Sequence, residues 1–144
     1  MVLLQKTTKE DIDIFYSWQI DPLTRKYFHN NSIPTYFEHC EWMKKTLDRK
    51  DVLFYTILDE NRKVGSIRLN IDSVAKATVS ILISSQEYGK GFAFSALAAV
   101  LNAHNEFEFE AFIDIKNKAS QKLFMKCGFI RVEDTKYIKK AESE

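Results

Sequence analysis

The sequence is poor in residues that interrupt or staple a chain. Two prolines and four glycines among 144 residues leave little room for flexible linkers. Only two cysteines occur, Cys40 and Cys127, and they lie far apart. They give neither a disulfide framework nor metal-ligand spacing, so they read as reduced core thiols and no metal is expected. No apolar run approaches the roughly 20 residues of a membrane span. The opening Met1-Val2-Leu3-Leu4-Gln5-Lys6 lacks the charged n-region of a signal peptide. An excess of one charge is also missing: 21 basic residues face 20 acidic ones, for a net charge of +1. Nucleic-acid binding through bulk charge is thereby disfavoured. The expectation is one cytoplasmic domain over residues 1–144, away from membranes and nucleic acid.

What is present is core-forming material. Hydrophobic residues make up 45% and aromatics 13%, enough to exclude a disordered chain. Thr8-Lys9-Glu10-Asp11 is a capping-box variant, and Ile12, Phe15, Tyr16 and Ile20 follow at helical spacing until Asp21-Pro22 interrupts. A second box, Thr35 to Glu38, opens a helix with Tyr36, Cys40, Met43 and Leu47 on one face. Segments 52–58, 64–71 and 78–83 read as three consecutive strands of an antiparallel meander. Residues 92–101 form an alanine-rich helix, apolar nearly all round and expected to be buried. Residues 107–115 alternate as a strand, 117–126 form a helix closed by Gly128, and two short strands end the chain. A first strand at Val2-Leu3-Leu4 is an open addition. The class is α+β, a mixed and mostly antiparallel sheet flanked by helices.

The most informative stretch joins the third strand to the alanine-rich helix: Gln86-Glu87-Tyr88-Gly89-Lys90-Gly91-Phe92-Ala93. A strand that runs into a Gly-x-Gly turn and then a helix aims unpaired backbone N–H groups at one spot. Helix polarity adds partial positive charge there, which suits a pyrophosphate. The dinucleotide fingerprint is excluded because Phe94 stands at its third glycine, and the P-loop because Lys90 precedes Gly91. On this pattern alone, an ordinary glycine turn before a helix remains an equal reading.

A second segment favours the phosphate reading: Asn117, Ser120, Phe124, Gly128 and Phe129 in the order Asn-x-x-Ser-x-x-x-Phe-x-x-x-Gly-Phe. Together the two segments resemble the Gcn5-related N-acetyltransferase (GNAT) superfamily. The loop resembles its Gln/Arg-x-x-Gly-x-Gly/Ala motif. The resemblance spans essentially the whole chain and implies acetyl-CoA as the cofactor. It implies that the main chain of Gln86, Glu87, Tyr88, Gly89, Lys90, Gly91, Phe92 and Ala93 holds the pyrophosphate. The cofactor's pantetheine arm would lie between a strand ending at Leu82-Ile83-Ser84 and one ending at Ile115. A backbone N–H near Leu82 would hold the developing oxyanion, Asn117 would bond the pantetheine, and Ser120, Phe124 and Lys126 would line the cofactor. The reaction implied is direct attack of an amine on the thioester.

Two departures from the family pattern bear on mechanism. Phe124 stands where a proton-donating tyrosine is common, leaving Ser120, Tyr88 or water for that role. The strand before the loop, Thr78-Val79-Ser80-Ile81, carries no carboxylate base. A weakly basic amine, such as one on a sugar ring, needs little help to lose its proton near pH 7. The N-terminal segments Trp18-Gln19-Ile20-Asp21-Pro22-Leu23-Thr24-Arg25 and His39-Cys40-Glu41-Trp42 resemble the GNAT branch that acetylates nucleotide-linked aminosugars. They also resemble the branch that acetylates protein N-termini. The acceptor candidates are Trp18, Arg25, His29 and Asn30. An arginine pairs with phosphate, an aromatic covers a sugar, and a histidine with a pKa near 6.5 suits a base. His39 and His104 are read as structural. A CoA-binding module without turnover is the rival from another class, and a homodimer is left open.

Overall fold

The computed structural model describes residues 2–28, 30, 32–73 and 75–142. The described residues run β1 (Leu3–Lys6), a 3-10 turn (Lys9–Asp11), α1 (Ile12–Gln19), α2 (Pro22–Arg25), α3 (Tyr36–Asp48) and β2 (Val52–Asp59). They continue through β3 (Arg62–Ser73), β4 (Lys76–Ile83), a 3-10 turn (Ser85–Glu87) and α4 (Phe92–Ala103). Strand β5 (Glu108–Phe112), α5 (Lys118–Lys126), β6 (Ile130–Arg131) and β7 (Lys136–Lys139) complete the order. The strands form one sheet in the order β1-β2-β3-β4-β5-β7-β6. Every pairing is antiparallel except β4 with β5. The α+β class and the β2-β3-β4 meander are therefore as expected.

Period-2 alternation divides the sheet's side chains between two cores. Ile57, Ile67, Leu69 and Val79 meet Ala96, Leu97, Val100 and Leu101 of α4 and Phe124 of α5. Val52 and Phe54 meet Ile12, Phe15 and Trp18 of α1 and Met43 of α3. A fully buried leucine such as Leu97 contributes about 1.5–3 kcal/mol of transfer free energy. The helices start where their caps place them. Thr35 and Glu38 exchange side-chain and backbone bonds at 2.8 and 3.1 Å, and Asp11 closes the Thr8 box at 2.9 Å. Buried Asp11 also accepts from Thr56 at 3.1 Å and pairs with Lys63 at 2.6 Å, which pins the start of α1 to the sheet.

Some boundaries differ from the sequence reading. The Thr8 box caps a 3-10 turn, and α1 follows it. Asp21-Pro22 starts a helix as well as ending one: the Asp21 carboxylate caps α2 and Pro22 occupies its first turn. Strand β5 leaves β4 after Glu110 and ends at Phe112, short of Ile115, with the last pair of its β7 ladder, Phe112–Lys136; Ile113 N–H then bonds Thr135 O at 2.8 Å. Helix α4 buries one broad face, and Phe94 on the other is 37% exposed. Both cysteines are free and half-buried, at the edges of the two cores. Among the described residues, no helix is long and apolar enough to cross a membrane.

Candidate active site

The site begins where the sheet comes apart. Strands β4 and β5 pair only through Lys76–Glu108, Ala77–Phe109 and Thr78–Glu110. Beyond Thr78, β4 continues to Ile83 on its β3 side alone. Ser84 N–H bonds Val64 O at 2.8 Å, so alternation along this ladder turns Ser84, Leu82 and Ser80 toward β3. The backbone N–H and C=O groups of Ile81 and Ile83 then face the gap. Leu82, near which an oxyanion donor was expected, pairs with Ser66, and the free-edge amides are those of its neighbours Ile81 and Ile83.

The gap leads into the glycine turn. Gly89 and Gly91 adopt φ values of +78° and +83°. A Cβ at either would meet nothing within 4 Å, so backbone conformation and not crowding requires glycine here. Gly91 is the N-cap of α4 and offers no capping side chain. Among the described residues, the N–H groups from Gly89 to Phe94 have no protein acceptor outside the helix's own first bond, Ser95 N–H to Gly91 O at 3.1 Å. Consecutive free amides around left-handed glycines at a helix start form an anion nest. Its outer side is braced by charge. Glu87, nearly buried, accepts from Arg62 at 2.7 Å and from Lys90 at 2.9 Å. Those two cations hold its carboxyl down at about 2. Ser85 donates to Asp21 at 2.5 Å, tying the turn to α2, and this bond lowers the Asp21 pKa.

One cavity of about 1340 Å³ joins the nest, the gap and the space under α1 and α3. Its wall includes Leu82, Ile83, Glu87, Tyr88, Gly89, Gly91, Phe92 and Ala93 from the expected cofactor set, with Asn117, Ser120 and Phe124 from α5 and its cap. Asn117 Oδ1 accepts from Ser120 N–H at 3.2 Å, so the asparagine caps α5 while its side chain borders the cavity. Phe124 is buried edge-on against Phe129, with ring centroids 5.0 Å apart. Ser84, Gln86 and Lys90 lie outside this wall. So does Lys126, whose ammonium sits 4.4 Å from the Phe94 ring centroid beside a separate groove of about 420 Å³. Tyr88 is half exposed at the rim, and partial burial raises its pKa above the usual 10, so it keeps its proton at neutral pH.

The acceptor candidates fare unevenly. Trp18, Arg25 and Asn30 line the cavity. Trp18 stacks on Phe15 at 5.2 Å and is buried. The Arg25 guanidinium donates to the backbone oxygens of Gln19, Asn30 and Ser32 at 2.8–3.0 Å, so it clamps the loop after α2. Asn30 accepts from Ser32 N–H at 2.9 Å in that same loop. His29 lies outside the described residues. His39 is buried, with Nε2 donating to Ile12 O at 2.9 Å, and burial pushes its pKa down. His104 bonds the Tyr55 hydroxyl at 3.2 Å.

Arg68 and Trp42 were not among the acceptor candidates of the sequence reading, although Trp42 ends the His39–Trp42 segment named there. Both line the cavity's acceptor end, with the Arg68 guanidinium 5.1 Å from the Trp42 ring centroid. In sequence, Arg68 looks like the solvent side of an alternating strand. Only the cover of α1 and α3 turns that side into a wall.

This architecture has known counterparts. A family model described as an acetyltransferase (GNAT) domain matches residues 2–130. An uncharacterized protein of Methanocaldococcus jannaschii is 27% identical over 136 residues, which is 89% of this chain and 28% of that protein. The chain thus spans little more than a quarter of that relative. A solved domain from the same organism is 23% identical, with a TM-score of 0.81 and 96% of each chain covered. Spermidine N-acetyltransferase from Vibrio cholerae, solved with CoA and spermine, is 16% identical with a TM-score of 0.86, covering 95% of this chain and 93% of that one. An aminoglycoside acetyltransferase solved with coenzyme A and kanamycin is 16% identical with a TM-score of 0.80, covering 96% and 93%.

Proposed function

Because the chain belongs to the GNAT acetyltransferase family, whose reaction is acetyl-CoA-dependent N-acetylation of an amine, we propose that it acetylates the amino group of a nucleotide-linked aminosugar. The reading takes residues 1–144 as one acetyltransferase unit working in the cytoplasm, in keeping with two free thiols. The observation that carries it is the continuous cavity, with an anion nest at one end and an aromatic, arginine-bearing chamber at the other.

The residues fit the cofactor. Acetyl-CoA supplies an acetyl group activated as a thioester. The amides from Gly89 to Phe94 fit its diphosphate, and the free edge of β4 fits the amides of its pantetheine arm as an added strand. The N–H of Ile81 or Ile83 is the donor available to stabilise negative charge on the acetyl oxygen. Tyr88 and Ser120 are the wall hydroxyls that hold a proton for the departing thiolate. With Thr78, Ser80 and Leu82 facing the acceptor end, β4 offers no carboxylate base. An electron-poor sugar amine, partly neutral at pH 7, meets that condition better than a lysine side chain does.

The test is thiol release from acetyl-CoA with UDP-linked aminosugars against short peptides with free N-termini. Turnover with the sugars supports the reading. Turnover confined to peptides moves the chain to protein N-terminal acetylation. CoA binding without turnover of any amine leaves a binding module.

A further inference from the structure

Arg68 is a charge without a counter-charge. Its Nε donates to Asn70 Oδ1 at 2.9 Å, and its plane lies over Trp42 and Phe54 at 5.1 and 5.6 Å. Among the described residues, no carboxylate pairs with it and no acceptor meets its two terminal nitrogens. The nearby cation Arg49 is already bonded to Asp51 at 2.7 Å, and burial together with Arg49 pushes the Arg68 pKa down. The Asn70 bond and the two rings compensate part of the guanidinium's burial, and its two terminal nitrogens remain open to a ligand in the cavity.

The wall's carboxylates do not answer this need, because each is engaged elsewhere. Glu38 caps the Thr35 N–H at 2.8 Å, Glu87 holds Arg62 and Lys90, and Asp114 accepts from Lys116 N–H at 2.8 Å. The position of Arg68 is equally telling. It pairs across the ladder with Ser80, one residue before Ile81, where the free edge of β4 begins. Paired strands lie about 5 Å apart, so the fork reaches the chamber directly beside the place of acetyl transfer.

We propose that Arg68 is a specificity-determining residue that binds an oxyanion carried by the acceptor itself, so that the accepted amines are anionic and polycationic amines are rejected. This rests on the aminosugar reading for the identity of the oxyanion, the diphosphate of the nucleotide. The planar fork suits bidentate contact with phosphate or carboxylate. The same positive charge has a second consequence. It disfavours the ammonium form of a nearby amine, which lowers the amine pKa where β4 lacks a base.

The experiment uses the whole chain saturated with coenzyme A, so that the nest is filled. UDP and inorganic phosphate are titrated by calorimetry into the wild type, Arg68→Gln and Arg68→Lys. The wild type should bind UDP, Arg68→Gln should weaken that binding at least about tenfold, as expected for losing a charged hydrogen bond, and Arg68→Lys should keep part of it. Affinity for coenzyme A should be unchanged in both variants. Equal binding by Arg68→Gln, or no UDP or phosphate binding by the wild type together with no anionic preference in the rate panel, overturns the proposal.

A rate panel on the wild type needs no variant to fold. It compares UDP-glucosamine, glucosamine 6-phosphate, glucosamine, a peptide with an N-terminal glutamate, its N-terminal glutamine counterpart, and spermine. Anionic members should exceed their neutral counterparts in kcat/KM at least about tenfold, with spermine the poorest. Spermine turned over as well as the anionic amines overturns the proposal. A preference for the glutamate peptide alone, lost in Arg68→Gln, would uphold Arg68 and remove the aminosugar.

Discussion

At one end of the cavity the groups that meet a ligand are main-chain amides; at the other they are side chains from elements distant in sequence. The nest from Gly89 to Phe94 and the free edge of β4 lie within one continuous stretch of chain, and their geometry follows from two left-handed glycines and one truncated strand pairing. The acceptor chamber draws Trp18 from α1, Trp42 from α3, and Arg68 and Ser80 from adjacent strands. Backbone recognition tolerates most side-chain changes and fails when the path of the chain fails. Side-chain recognition tolerates none at the contacting atoms and is free to change between relatives. One fold can thereby keep a cofactor constant while its acceptors differ.

That contrast can be broken by substitutions on each side. The largest effect is expected at Gly91→Val, which forces a β-branched residue to φ near +83°. Coenzyme A affinity should fall by about a hundredfold or more, as for the loss of several charged hydrogen bonds. Circular dichroism should still report the fold, because a Cβ there meets nothing within 4 Å. Leu97→Ala reverses the pattern. It opens a cavity under α4 and should cost about 2–5 kcal/mol in chemical denaturation, while folded protein keeps its coenzyme A affinity.

Smaller effects sharpen the boundary between the two ends. Asn117→Ala removes the cap of α5 and should cost about 0.5–2 kcal/mol of stability. The brace at Glu87 gives a pH signature. Its carboxyl is held at about 2 in the folded protein against 4.5 unperturbed, so its contribution is present above pH 4.5 and is lost as pH falls toward 2. Melting temperature against pH should therefore separate the wild type from Glu87→Gln above pH 4.5. The two curves should converge in acid.

The same contrast explains what could be read from sequence. The loop Gln86–Gly91, the helix after it and the Asn117 cap are local patterns whose geometry is set by neighbouring residues, and they stand where the spacing placed them. The meander was legible for the same reason, with Glu60 and Asn61 in left-handed turn positions between β2 and β3. Where long-range packing decides, the reading faltered. Alternation runs on through Ile113 and Ile115, yet β5 parts from β4 after Glu110 and stops with its β7 ladder at Phe112, and nothing local marks either event. Arg68 belongs to the same class, since its surroundings come from residues 26 positions earlier in the chain at Trp42 and from α1 beyond that. Asp21-Pro22 was legible in principle: an aspartate before a proline is a helix start as readily as a stop.

The central claim is that a short run of main-chain amides forms a diphosphate cradle, and calorimetric titration of coenzyme A into the wild type and Gly91→Val tests it most directly. The account predicts saturable heat and a raised melting temperature for the wild type, both absent in the variant. Equal binding by the two proteins, or no heat from the wild type, would contradict it.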